Sequence, residues 1–108
     1  MIIVSLTTIP SRLEKGLTTK SIQSILEQTS KPDLIILNIP EVSRKGDPYN
    51  KRMAEYVASL DESIKLHWVP EDYGPITKLM GTLEYIEENT IDRNSKIILI
   101  DDDCIYNK

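Results

Sequence analysis

Three consecutive carboxylates, Asp101, Asp102 and Asp103, end the aliphatic run Lys96-Ile97-Ile98-Leu99-Ile100. Two carboxylates about 4 Å apart repel by roughly 4 kcal/mol at an effective dielectric near 20, so the cluster needs water, a shared proton, a basic partner or a divalent cation. Hard oxygen donors are what Mg²⁺ and Mn²⁺ prefer. An acidic run after a strand is also common in solvated turns, and only its position in the fold separates the two readings. A second group of interest is Thr7-Thr8-Ile9-Pro10-Ser11-Arg12, where an arginine follows a proline-bearing loop. The planar guanidinium makes paired hydrogen bonds to phosphate or carboxylate. Asp72 lies in the turn after the third strand and Lys78 in the helix that follows it. His67, the single histidine, stands in an alternating strand with no nucleophile or second ligand spaced to accompany it, so it reads as a strand residue. Cys104 reads as a small packing residue.

The elements that must position these groups are legible from hydrophobic pattern. Ile2 to Thr7 is a buried strand, and Pro10 is expected to end the ladder and force an extended turn. Leu17, Ile22, Ile25 and Leu26 make one face of a helix over 17–29. Leu34 to Ile39 is a second strand, stopped by Pro40. Residues 41–50 have loop composition. Met53, Tyr56, Val57 and Leu60 recur at helical spacing. Ile64 to Val69 alternates, with Lys65 and His67 on a wetter face, which suggests an edge strand. Pro75 suits the first turn of a helix whose apolar stripe is Ile76, Leu79, Met80, Leu83 and Ile86; Glu84, Glu87 and Glu88 form its wet face. The unbroken run Ile97 to Ile100 is expected to be covered on both faces.

Strand and helix thus alternate, predicting an α/β three-layer α/β/α sandwich on a mainly parallel, Rossmann-like open sheet with right-handed crossovers. With strand order 3-2-1-4 the order reverses between the first and fourth strands, and ligands of such sheets sit at the carboxyl ends there. That places Thr7, Thr8, Pro10 and Arg12 beside Asp101, Asp102 and Asp103, where acids, a cation and arginine together would hold a diphosphate.

At 108 residues, 40% hydrophobic and 28% charged, the chain fits one domain. A formal charge of -4 without a basic tract disfavours nucleic acid as a partner. The apolar start, Met1 to Leu6, is too short to span a membrane and lacks a signal peptide's basic onset, so a cytoplasmic location is the expectation. One cysteine permits no internal disulfide.

Ile2 to Arg12, Ser21 to Thr29 and Ile97 to Asp103, in this order and spacing, resemble the start of a glycosyltransferase of the GT-A fold, close to the family 2 type. The resemblance spans the chain. It implies a metal-dependent transferase, moving a sugar from a nucleotide-diphosphate sugar, a UDP-sugar by first choice, to a hydroxyl acceptor. In that likeness Asp101 matches the acid near ribose and metal, and Asp103 the direct ligand of Mn²⁺ or Mg²⁺. Asp102 fills the variable middle place of the Asp-x-Asp motif, and Thr7, Pro10 and Arg12 match the loop along the nucleotide. Many relatives carry an Asp-Asp-Gly-Ser type sequence after the second strand, where this chain has Asn38-Ile39-Pro40-Glu41. Asp72 and Lys78 stand as substitutes by position. Relatives also continue into an acceptor-binding half that supplies the catalytic base, so the chain looks like the donor-binding half alone, with no base to nominate. Such a half would expose apolar surface and self-associate. The alternatives are a non-catalytic nucleotide-binding module and, ranked lower, a receiver-type phosphoacceptor domain, which places its acids after the first strand, where Ser5 to Thr8 has none.

Overall fold

The computed structural model describes residues 1–41, 46, 48–70, 72–91 and 94–102, with the side chain of residue 75 excepted. The chain runs β1 (Ile2–Thr7), α1 (Pro10–Glu14), α2 (Leu17–Leu26), β2 (Leu34–Pro40), α3 (Lys51–Ala58), β3 (Ile64–Val69), a 3₁₀ turn (Gly74–Ile76), α4 (Thr77–Glu88) and β4 (Lys96–Leu99). The four described strands form one parallel sheet in the order β3-β2-β1-β4. The expected α/β class and strand order are therefore observed. Ile2 to Ser5 of β1 pair with Lys96 to Leu99 of β4, so the ends of the first and fourth strands are neighbours.

Alternation along each strand divides the side chains between two helical layers. One face carries Val4, Leu6, Ile35, Leu37 and Ile39, all buried, against Leu13 of α1, Ile22 and Ile25 of α2, and Ala54 and Val57 of α3. Each fully buried aliphatic of this kind contributes about 1.5–3 kcal/mol, which makes this layer the main source of stability. The other face has a smaller apolar cluster, Ile3, Ile36 and Ile86 with Tyr85 and Ile97 packed against it, under α4. No helix among the described residues is long and apolar enough to cross a membrane.

Three expectations are corrected. Pro10 does not simply break the chain: Ile9 is extended, as a residue before proline must be, and Pro10 then opens α1, whose first turn tolerates its missing N–H. Gly16, at φ +80, lets α1 end and α2 begin within two residues. The apolar stripe expected for α4 is only partly its buried face: Ile86 is buried and Leu79 half-buried. Thr77, Gly81, Thr82 and Ile86 pack inward, whereas Ile76, Met80 and Leu83 are 53%, 40% and 48% exposed. The reason lies in the sheet, where Ser5 and Asn38 occupy the centre beneath α4 and need hydroxyl partners. Asn38 Nδ2 lies 2.9 Å from Thr82 Oγ1 and 3.2 Å from Ser5 Oγ, and Ser5 Oγ also bonds Thr82 Oγ1 and the Lys78 carbonyl. Finally, β4 stands at the edge of the sheet among the described residues, with Ile98 and Leu99 exposed rather than covered on both faces; of this run only Ile100, beyond the strand, is buried.

The edge position expected for β3 is observed. Its His67 is nonetheless buried, because α4 covers that face: the ring meets Tyr85 edge-on at 5.6 Å and Nε2 lies 3.6 Å from Glu84.

Candidate functional site at the carboxyl ends of the first and fourth strands

Asp101 and Asp102 point to opposite faces. Asp102 meets Thr8 and Arg12 on the side of α1 and α2, while Asp101 meets Lys78 of α4. Each meets a cation. Arg12 Nη1 donates to Asp102 Oδ1 at 2.8 Å, and Lys78 Nζ lies 3.4 Å from Asp101 Oδ1 and 3.3 Å from the Ile100 carbonyl. The two pairs differ in depth. Asp102 is 3% exposed, whereas the Asp101 side chain is 69% exposed.

Asp102 is the centre of a buried network. Its Oδ2 accepts from Thr8 Oγ1 at 2.5 Å, and Thr8 Oγ1 is 2.7 Å from Thr18 Oγ1. A carboxylate paired with a guanidinium only accepts, so the single Thr8 proton goes to Asp102 and the Thr18 hydroxyl must donate to Thr8. The order is therefore Thr18 to Thr8 to Asp102, with Arg12 donating from the other side. Ser21 Oγ of α2 adds a bond to the Asp101 carbonyl at 3.2 Å, and the Ile100 N–H donates to Ser5 O at 3.0 Å. Helices α1, α2 and α4 thus all anchor the short segment Ile100 to Asp102.

Tyr49 escaped the sequence reading, hidden in a stretch of loop composition. Its hydroxyl donates to the Thr8 carbonyl at 2.7 Å, and the residue is buried. Burial, then the charges of Asp72 and Asp102, push its pKa upward, so the phenol stays a donor. The one available signal was its place next to Asn50, which caps α3 by accepting from the Met53 N–H at 3.1 Å.

The remaining expected residues fall as follows. Thr7 Oγ1 donates to the Asn38 carbonyl at 2.7 Å and so ties β1 to β2. Pro10 sets the start of α1 and hence the height at which Arg12 leaves it. Asp72 Oδ1 accepts from the Gly74 N–H at 2.7 Å, which holds the turn before α4. Asp103 and Cys104 lie outside the described residues. An open hollow of about 460 Å³ lies away from the rim, at the amino ends of β2 and β3, lined by Lys31, Asp33, Asp61, Glu62 and Lys65 among others. Its charges are of both signs.

The donor chemistry of the rim is hard oxygen, the type a divalent cation takes. Asp101 fits that role by its exposure, while both oxygens of Asp102 are engaged in the protein. Among the described residues no three His, Cys, Asp or Glu side chains converge. The chain matches no family model, no curated protein and no solved structure.

Proposed function

We propose that this rim binds the diphosphate of a nucleotide sugar, and that the chain is the donor-binding part of a metal-dependent glycosyltransferase. One observation carries the reading: acids at the end of β4 stand beside the β1–α1 loop, with a cation reaching them from each helical layer, Arg12 from α1 and Lys78 from α4. This is where strand order reverses, the usual ligand position on an open parallel sheet.

In that reading Asp101 and Asp103 hold Mn²⁺ or Mg²⁺, which supplies Lewis-acid stabilisation of the departing diphosphate. Arg12 and Lys78 bind and orient the phosphates and offset the charge that grows on them as an acceptor hydroxyl attacks the anomeric carbon. Two cations fixed by the fold cost little reorganisation when that charge appears. The resemblance in the residues of β1, α2 and β4 supplies the sugar-nucleotide class. The rim itself speaks for a polyanion with a hard cation.

Calorimetric titration of UDP and GDP, with and without Mn²⁺, tests the proposal. Metal-enhanced binding that falls by about tenfold or more in Asp103→Ala is the expected result, about 1.4 kcal/mol or more. Binding indifferent to metal and to this substitution would remove it. Binding without sugar transfer to any hydroxyl acceptor would leave a nucleotide-binding module.

A further inference from the structure

We infer that Asp102, although it sits in the middle of the acidic run, is a positioning residue: it holds Arg12 at the rim and takes no part in holding a metal ion. What Arg12 meets there rests on the diphosphate reading above; the pinning itself does not.

The first support is the division of labour between neighbours. Asp101 is mostly exposed, and Asp102 has one oxygen on Thr8 and the other on Arg12. A cation at Asp102 would have to displace a charge-assisted bond of 2.8 Å or a buried hydroxyl. The second is the weakness of α1. Five residues form no stable helix alone, and its N-cap, Ile9, makes no side-chain cap. The burial of Leu13 and the bond from Arg12 to Asp102 tie its middle to the fold. Loss of that bond gives the long arginine side chain more rotamers, and a phosphate contact then has more to order. The third is the direction of the network. The Thr18 hydroxyl, through Thr8, supports the carboxylate from beneath, so Asp102 is itself held before it holds Arg12. The Arg12 side chain remains 38% exposed, on the solvent side of a buried anchor.

The test has a part that needs no ligand. In ¹⁵N spectra of the guanidinium groups, hindered rotation should give Arg12 separate Nη signals in the native protein, merged in Asp102→Asn. Thr8→Val, which removes the supporting hydroxyl and leaves both charges, should broaden them, and serves if Asp102→Asn fails to fold. In parallel, inorganic pyrophosphate and Mn²⁺ are titrated separately. Asp102→Asn should weaken pyrophosphate about as much as Arg12→Ala does, about tenfold, and leave Mn²⁺ affinity within about twofold. A purely structural role would move neither ratio in this selective way. Merged Arg12 signals in the native protein would overturn the inference. So would a tenfold loss of Mn²⁺ affinity in Asp102→Asn with Arg12 signals unchanged. If the native protein binds neither probe, the diphosphate reading fails, and the spectrum alone decides whether Asp102 pins Arg12.

Discussion

The two faces of the sheet hold their helices by different means. Beneath α1, α2 and α3 the sheet itself presents an aliphatic face, Val4, Leu6, Ile35, Leu37 and Ile39, and the hydrogen bonds of Thr8, Thr18 and Ser21 gather at its carboxyl rim rather than at its centre. Beneath α4 the centre is Ser5 and Asn38, with Thr82 and the Lys78 carbonyl above them. Aliphatic contact is strong but tolerant of small slides, whereas a hydrogen-bonded centre fixes one register and loses its value when shifted. The difference matters at the rim. On the aliphatic side Arg12 needs a further pin, Asp102. On the polar side the register of α4 is set by the Ser5–Asn38–Thr82 network, which delivers Lys78 to Asp101 directly.

The comparison breaks most visibly under truncation on the aliphatic face. Leu37→Ala, at a fully buried position, should cost about 2–5 kcal/mol in urea unfolding. Next comes Gly81→Ala, where the new methyl would overlap the Asn38 side-chain amide and sit 3.0 Å from Val69. A loss of about 1–3 kcal/mol is expected from overpacking, even though alanine is the better helix former. Removing the obstructing amide should sharpen the point: in an Asn38→Ala background the same substitution at Gly81 should lose most of its cost, read as coupling in a double-mutant cycle. Additive effects would mean that α4 is not held by this close approach.

A smaller effect, confined to alkaline solution, is expected from Tyr49. Its folded pKa is raised above the ordinary value near 10, so the folded state keeps a proton that the unfolded state releases. Its contribution is fully present below about pH 10 and is lost as pH rises above that. Chemical denaturation from pH 8 to 11 should show stability falling above pH 10, and Tyr49→Phe should lessen the fall. The smallest change is predicted for Met80→Gln with Leu83→Gln, on the exposed stripe of α4, within about 0.5 kcal/mol each way. A loss as large as that of Leu37→Ala would show that this stripe is covered.

The topology was legible because strand and helix patterns alternate cleanly, and neighbouring of β1 and β4 follows from the order of such sheets. The inward face of α4 was not. Counting apolar residues favours Ile76, Met80 and Leu83, but which face packs was decided by two polar residues on other strands and by a glycine that admits them. Pro10 illustrates a rule with two outcomes: its fixed φ ends a strand and equally suits a helix start. The opposite aims of Asp101 and Asp102 arise beyond the end of β4, and their partners on different helices settle them. Which one is buried could not be read from the sequence, because that depends on Thr8, Thr18 and Arg12 meeting it from two other elements. Tyr49 was hidden for a related reason, since its partner is a main-chain carbonyl, which no side-chain motif reveals.

The central claim is that the carboxyl ends of β1 and β4 form one polyanion site. Paramagnetic broadening by Mn²⁺ in the presence of UDP, followed residue by residue in amide spectra, tests it most directly. Amides of Thr8, Arg12, Lys78 and Asp101 should broaden at metal levels that leave Asp33 and Ser63, at the amino ends of β2 and β3, sharp. Broadening centred on Asp33, Asp61 and Ser63, or spread evenly over the surface, would contradict it.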